Sequence, residues 1–247
     1  FTGENLVENA FLENYALSRR DAFPEGMIPM NYPSDPYDGT YIPNWAMWYI
    51  MEILRVARRT PDSGTVRQAR GTVEGLFDFF ARYENEYSLL ENLESWVFVE
   101  WSAANDADHI CGVNIPSNIC YQRILTDAGN LYHRPDWVEK GSRVRENLIR
   151  FGFDGTMFVD NLVRNADGGL VRTNHLTEVC QYYAFWFGAV TKESHPALYD
   201  LLMHRLGRNK QSGFMENVEK PNMMYGIYMR LDLLMREGKR EELLDEI

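Results

Sequence analysis

Carboxyl and aromatic side chains occur side by side in one polar stretch of this 247-residue sequence. The stretch WVFVEWSAAND, residues 96–106, contains Glu100, Trp101 and Asp106. Cleavage of a bond between sugars needs one carboxyl group that donates a proton and a second that activates water. Flat indole rings pack well against the apolar face of a sugar. These residue types indicate carbohydrate chemistry, with Glu100 as a candidate catalytic group and Trp101 and Asp106 as candidate binding groups.

A second stretch, YPSDPYDGTYIPNWAMW at residues 32–48, repeats this combination upstream. It contains Trp45 and Trp48 together with the acidic residues Asp35 and Asp38. Each of these side chains, taken alone, is more often structural than functional. Because the same residue types recur in several polar segments, we interpret Trp45 and Trp48 as candidate ring-stacking residues.

A third stretch, TNHLTEVCQYYAFWFGAV at residues 173–190, places polar groups at the head of an apolar run. Two interpretations stay open for these groups. They can cap a helix whose first N–H groups lack partners, or they can face a binding site. We treat Glu178 as the second candidate acid or base and His175 as a candidate substrate-binding residue.

The sequence predicts neither a metal centre nor a cofactor. The five histidines form no His-x-x-x-His or His-Glu-x-x-His pattern, and there is no Cys-x-x-Cys. Asp106, Asp108, His109 and Cys111 are close in sequence, but no second ligand pair accompanies them. Glycine-rich phosphate loops and a serine-nucleophile motif are missing as well.

The overall charge argues against polyanionic partners. The sequence has 25 Lys and Arg against 36 Asp and Glu, a formal net charge of −11 at pH 7. Nucleic-acid binders usually carry a basic stripe, and none is visible here. No apolar run approaches the roughly 18 residues of a membrane span. We therefore expect a carbohydrate partner, no nucleic acid and no membrane.

Apolar residues recur at helical spacing along most of the chain. Several prolines stand at or just before the start of a predicted helix, where a missing N–H costs little. The periodicity predicts helices over 42–59, 63–83, 116–132, 135–151, 173–190, 196–206, 221–237 and 239–247, after a first apolar face at 6–15. Short strands are expected in two of the long connections, at 96–101 and 157–160.

The predicted helices alternate in character. Those that begin near residues 42, 116, 173 and 221 are apolar around much of their circumference, whereas the intervening ones are amphipathic. Such alternation suggests an inner ring of helices wrapped by an outer one. The sequence thus predicts an all-α fold of toroid-type helical hairpins, with short strands in the long loops that carry the candidate residues.

The same stretches resemble the catalytic domain of bacterial α-L-rhamnosidase-like, six-hairpin glycosidases. The similarity is carried, in order, by FPEGMIPMNYPSDPYDGTYIPNWAMWYI, WVFVEWS, GVNIPSNICYQ, NADGGLVRTNHLTEVCQYYAFWFG and PNMMYGIYMRLDLLMREGKREELLDEI. It implies an (α/α)6 toroid and an inverting hydrolysis of terminal α-L-rhamnosyl residues by a general acid and a general base. It also implies a pocket-facing position for Glu100 and Trp101, and an inner helix that begins with His175 and Glu178.

The resemblance further implies that this sequence covers only part of such a domain. The family carries its general acid in an acidic, arginine-containing segment ahead of the first resembling stretch, and its base in a Trp-Glu motif after the last. Neither segment occurs here. We therefore expect residues 1–247 to form one domain, an incomplete barrel from a longer chain that self-associates through exposed helix flanks. The compartment, bacterial cytoplasm or periplasm, is left open.

Two other classes of function stay open. A non-catalytic carbohydrate-binding or scaffold domain would use the same acidic and aromatic loops for recognition alone. A helical toroid with another chemistry fits less well. A lyase for acidic sugars would need a basic cleft, and a terpene cyclase would need an Asp-rich metal motif, for which Asp106 and Asp108 are too little.

Overall fold

Most of the segments with helical periodicity in the sequence are α-helices in the structure. The computed structural model describes residues 6–18, 21–33, 38–208, 210–222 and 224–246. Within those ranges the helices are α1 (Leu6–Leu17), α2 (Pro43–Arg59), α3 (Gly64–Ala81), α4 (Ala107–Ile110), α5 (Ile115–Leu131), α6 (Pro135–Gly152), α7 (Glu178–Trp186), α8 (Pro196–His204), α9 (Met224–Arg236) and α10 (Arg240–Glu246). The all-α class predicted from the sequence is confirmed.

The helices form two layers of hairpins. The inner helices α2, α5, α7 and α9 pack on one another in that order, while α3, α6 and α10 each pack on the outside of the inner helix that precedes them. Helix α1 lies against α3. Most of the buried apolar side chains form one continuous cluster that runs from Leu12 to Leu234. This arc of inner helices with an outer layer is the toroid-type arrangement that the alternation of helix character predicts.

None of the described helices combines the length and the apolar character needed to cross a membrane.

Short strands occur in the long loops. One antiparallel sheet has the order β1 (Val113–Asn114), β2 (Asn161–Arg164) and β3 (Leu170–Arg172), and β4 (Leu176–Thr177) pairs in parallel with β5 (Val218–Glu219). Within the two-stranded sheet Leu176 stands opposite Val218. Strands in the loops are therefore confirmed, but not at the two predicted positions.

The segment 96–101 is not a strand because side chains take its backbone donors. The N–H of Phe98 donates to Asn44 Oδ1 at 2.9 Å, and the N–H of Val99 donates to Asn105 Oδ1 at 2.8 Å. No ladder partner is then needed. At 157–160 the only ladder contact is an isolated bridge between Phe153 and Phe158.

Helix α7 begins later than predicted, at Glu178 rather than at residue 173. Its start is set by Thr177, whose hydroxyl accepts the N–H of Cys180 at 3.2 Å. The two residues of β4 are held in a sheet immediately before it. His175 consequently lies ahead of the helix instead of in its first turn, and Thr177 is the cap.

Amide side chains near the heads of the inner helices hold the neighbouring loops. Asn118 in α5 accepts the N–H of Leu90 at 2.7 Å and donates to its carbonyl at 2.9 Å. Gln181 in α7 likewise accepts the N–H of Phe158 at 2.9 Å and donates to its carbonyl at 2.8 Å. Both amides are fully buried. Polar residues stand at the head of buried helices because they satisfy loop backbone that has no other partner.

Candidate functional site

Aromatic rings form a band on the loop side of the inner helices. Trp101 and Trp96 are 49% and 38% exposed, and their ring centroids lie 5.7 Å apart. Beneath them Phe98 contacts the Trp101 ring at 4.9 Å and the Trp45 ring at 5.8 Å. Trp45 is half-buried, and its Nε1 has no hydrogen-bond partner among the described residues. The band thus offers an exposed indole pair on a packed aromatic base.

The band continues into a cavity between α2 and α9. Tyr225 lies 6.1 Å from Phe98 on one side and 5.4 Å from Trp48 on the other, measured between ring centroids. Trp48 in turn contacts Trp186 at 5.6 Å. The cavity has a volume of about 850 Å³, which is in the range of small-molecule sites. Trp48 therefore faces the cavity, whereas Trp101 faces solvent at the other end of the same band.

Charged groups around the cavity are paired with each other. Arg58 and Arg123 share the Asp127 carboxylate, at 3.0 and 2.8 Å. Arg236 pairs with Asp232, which also accepts the indole N–H of Trp186 at 2.7 Å. Three arginines meet two carboxylates here, so these ion pairs offset most of the positive charge at the rim and leave an excess of one arginine.

Glu100 is fully buried and holds the start of α9. Its Oε1 accepts the N–H of Gly226 at 3.0 Å, and its Oε2 accepts the N–H of Asn222 at 3.2 Å. The Asn222 side chain also donates to the carbonyl of Trp101, at 2.9 Å. A carboxylate that accepts the unpaired N–H groups of a helix start is favourably placed for the helix dipole. The loop that displays Trp101 is thereby tied to the helix that carries Tyr225.

Glu178 is fully buried as well, at the first residue of α7. Its Oε2 accepts the Tyr182 hydroxyl at 2.7 Å and the N–H of Gly207 at 3.0 Å. Its Oε1 has no hydrogen-bond partner among the described residues, and the Lys210 ammonium lies 4.0 Å away. Burial and the adjacent Glu178 hold the pKa of Tyr182 well above its usual value. Glu178 therefore has one buried oxygen that accepts no hydrogen bond from the described residues.

His175 and Asp106 lie in a second polar group beside the band. His175 stacks on His109 with ring centroids 4.3 Å apart, and its Nε2 is 3.4 Å from Asp108 Oδ2. Asp106 is exposed and immediately precedes α4. The hydrogen bond from His109 Nδ1 to Asp160, 2.7 Å long, raises the pKa of His109.

The predicted site residues fall into connected groups rather than one open pocket. A Cβ added at Gly226 would lie 2.8 Å from Glu100 Oε1 and 3.1 Å from Val179 Cγ2, so Glu100 adjoins the first turn of α7. Neither candidate carboxylate reaches solvent. Their catalytic roles, and the binding roles of the remaining residues, stay predictions. Asp35 lies outside the described residues.

The sequence interpretation missed several residues that line these groups. Tyr225 and Trp186 face the cavity, and Asp160 orients His109. Tyr225 and Trp186 lie in apolar sequence segments that predict only a buried helix. Asp160 is recognisable in the sequence as a loop carboxylate, but its role is not, because His109 is distant along the chain and only the folded loops bring the pair together.

The fold is that of known rhamnosidase structures. The chain superposes on a GH78 family rhamnosidase of Bacillus sp. GL1 with a TM-score of 0.77 and 16% identity, which covers 99% of this chain and 24% of that one. It also matches a rhamnosidase from Klebsiella oxytoca with rhamnose bound, with a TM-score of 0.68 and 15% identity, over 94% of this chain and 42% of that one. No protein-family model and no curated protein matches the sequence. The chain thus has a glycosidase-like fold and spans less than half of either structure.

Proposed function

We propose that this chain is a glycoside hydrolase domain that acts on terminal α-L-rhamnosyl residues by general acid and general base catalysis. The observation that carries the proposal is the aromatic band, which joins the exposed rings of Trp96 and Trp101 to the cavity beside Trp48. A 6-deoxy sugar such as rhamnose has an apolar face that such rings can cover. Fold similarity to rhamnosidases supports the same substrate class.

Glu100 and Glu178 are the proposed acid and base of this chain, in either order. Two residues of one connection cover them, because the N–H of Gly207 donates to Glu178 and the N–H of Asn222 donates to Glu100. In this proposal, displacement of that connection exposes the carboxylates to substrate. The other source of the catalytic pair is the one that the family resemblance implies, segments that lie outside this sequence.

Hydrolysis of an aryl α-L-rhamnoside tests the proposal directly. We expect release of the aryl group, and we expect Glu100→Gln to lower kcat at least about 100-fold, a loss of about 2.7 kcal/mol of transition-state stabilisation. A change of less than about threefold in an active, folded variant would remove Glu100 from catalysis. The same assay on Glu178→Gln decides between the two carboxylates.

Sugar binding is measured separately, by titration of the chain with L-rhamnose. Trp101→Ala should weaken binding by about tenfold, which corresponds to about 1.4 kcal/mol of ring stacking. Phe11→Ala is the matched control, because Phe11 is a comparably exposed aromatic residue on α1, away from the band. Equal affinity of the two variants would show that the band does not bind the sugar.

A non-catalytic carbohydrate-binding domain is the second candidate function. The observation that favours it is the complete burial of both carboxylates, each of which accepts hydrogen bonds from loop backbone. Rhamnose binding without turnover, weakened in Trp101→Ala, would select this candidate. Absence of both binding and turnover would reject both functions.

A further inference from the structure

Two histidines and an aspartate converge from separate parts of the chain. Asp108 and His109 are neighbours within the short helix α4, and His175 lies just before β4. One nitrogen of each ring and a carboxylate oxygen of Asp108 lie within 4.8 Å of one another. The Asp108 Oδ2 to His175 Nε2 distance is 3.4 Å. Ligand atoms on a tetrahedral zinc ion stand about 3.3 Å apart, given metal–ligand bonds of about 2.0–2.1 Å.

The ring of His109 is oriented by a buried carboxylate. Its Nδ1 is 2.7 Å from Asp160 Oδ2, and the other Asp160 oxygen accepts the Thr177 hydroxyl at 2.7 Å. Asp160 is almost fully buried. Histidines that bind metal usually donate their second ring nitrogen to a carboxylate or carbonyl oxygen in this way, which directs the remaining nitrogen towards the ion. The remaining nitrogen of His109 is Nε2.

The ring of His175 is held in the same manner by an amide. Its Nδ1 is 3.2 Å from Asn161 Oδ1, and Asn161 is fully buried. The Asn161 Nδ2 donates to the backbone carbonyls of Asp108 and Cys111, at 2.8 and 3.0 Å. Asn161 therefore forms hydrogen bonds both with the His175 ring and with the backbone of the segment that contains Asp108. Adjacent residues of one loop, Asp160 and Asn161, orient both imidazoles.

We propose that Asp108, His109 and His175 bind one divalent transition-metal ion of the zinc type. Two imidazole nitrogens and one carboxylate oxygen suit such ions, and three protein ligands leave a position for water. The side chains of Asp108 and His109 are 69% and 10% exposed, so the ion enters from the solvent side while the Asp160 side is closed. The two ring planes are nearly parallel, 14° apart, so the His175 ring, which has the longer hydrogen bond at 3.2 Å, rotates on binding to direct its Nε2 at the ion. The ion cross-links the loop that follows Trp101 to the segment ahead of α7.

This site does not depend on the proposed glycosidase function. The two are distinguished because metal binding is measured without any sugar, and because the ligands are not the proposed acid and base.

Titration of the metal-free chain with Zn²⁺ by calorimetry tests the proposal, with Co²⁺ absorption as a second readout of tetrahedral coordination. We expect one ion per chain, and a higher melting temperature with Zn²⁺ than with a chelator. Asp108→Ala and His175→Ala should each lower the affinity at least tenfold. Asp160→Asn, which weakens the hydrogen bond that orients His109 but removes no proposed ligand, should lower it about 10–100-fold.

His204→Ala is the matched control. His204 forms a surface pair with Glu242 at 3.3 Å, close to the His175–Asp108 distance, but among the described residues it belongs to no cluster with a second histidine. It should leave stoichiometry and affinity unchanged. Circular dichroism confirms that each variant is folded. Zinc binding that survives in both Asp108→Ala and His175→Ala, or no binding by the unmodified chain, would overturn the assignment.

Discussion

Glu100 and Glu178 are both fully buried carboxylates near the start of an inner helix, yet the two surroundings differ. Glu100 comes from a distant loop, and its two oxygens accept separate backbone N–H groups near the start of α9. Glu178 belongs to the helix that it begins, and it uses one oxygen for two donors. Among the described residues its other oxygen accepts no hydrogen bond, and the Lys210 ammonium lies 4.0 Å from it.

The two oxygens of Glu100 both accept backbone N–H groups and so connect two chain segments. Glu178 has one oxygen that accepts no hydrogen bond from the described residues. Replacing a carboxylate oxygen by an amide NH₂ is harmless where nothing donates to it, but it opposes two donors where a backbone N–H points at it. Glutamine substitutions at the two positions should therefore behave differently.

Glu100→Gln should give the largest effect. The amide NH₂ must face the N–H of either Gly226 or Asn222, and one buried donor is left without an acceptor. We expect a loss of about 3 kcal/mol in the free energy of unfolding, measured by urea denaturation. An effect equal to that of Glu178→Gln would remove the distinction between the two sites.

Gly226→Ala should be the next largest. The added Cβ would lie 2.8 Å from both Glu100 Oε1 and Pro221 Cβ, so the start of α9 must shift away from the carboxylate. We expect about 2 kcal/mol of destabilisation in the same denaturation experiment. Gly71→Ala in α3 is the control. Its Cβ would meet nothing within 4 Å, and alanine there should stabilise by about 0.5–1 kcal/mol.

Changes at the second carboxylate should be smaller. Tyr182→Phe removes one of the two donors to Glu178 Oε2 but leaves the N–H of Gly207 in place, so we expect a loss of about 1–2 kcal/mol. Glu178→Gln should cost about 1–2 kcal/mol, less than Glu100→Gln, because the new NH₂ replaces an oxygen that has no donor among the described residues and only the 4.0 Å ion pair with Lys210 is lost. A larger cost for Glu178→Gln would show that the oxygen near Lys210 is not free.

The smallest expected effect concerns Glu86 and Glu91, two carboxylates near the surface, and it is measured as the pH dependence of stability. Hydrogen bonds from Arg164 lower the pKa of Glu86 to about 2 and also lower the pKa of Glu91. Both folded-state pKa values lie below the unfolded value of about 4.3, so this stabilisation is present above that pH and is lost on acidification. Arg164→Gln should reduce stability near neutral pH, and its difference from the unmodified chain should shrink on acidification from about pH 4 and vanish only below pH 2.

Arg172→Gln is the control for the pH series. Arg172 donates to the backbone carbonyl of Arg150 at 3.0 Å, so its loss should give a difference that does not vary over the same pH range. A pH-dependent difference for Arg172→Gln, or a constant one for Arg164→Gln, would contradict the assignment.

The sequence was sufficient for the fold class and for most helices, because apolar spacing and proline positions are local properties. It was insufficient for the start of α7, because the two residues ahead of Glu178 pair with β5, which is remote in the chain. The strand predicted at 96–101 was wrong for a related reason, since Asn44 and Asn105 supply acceptors that no local pattern reveals.

The candidate site was predictable by residue type but not by arrangement. Composition pointed to Trp101 and Glu100, which the fold does place on one loop tied to α9. It could not show that Glu100 faces helix backbone. It also excluded a metal because Asp108 and His109 had no nearby second ligand pair, whereas folding brings His175 beside them.

The cavity beside α9 is lined by tryptophans whose fluorescence can report whether a ligand is bound. Trp48 and Trp186 line it, whereas Trp137 is buried against Phe77 in the outer layer, and Arg134 lies over its ring. A ligand that enters the cavity would change the surroundings of the first two indoles and leave Trp137 as an internal reference. The colour of the intrinsic emission would then follow occupancy with no added dye.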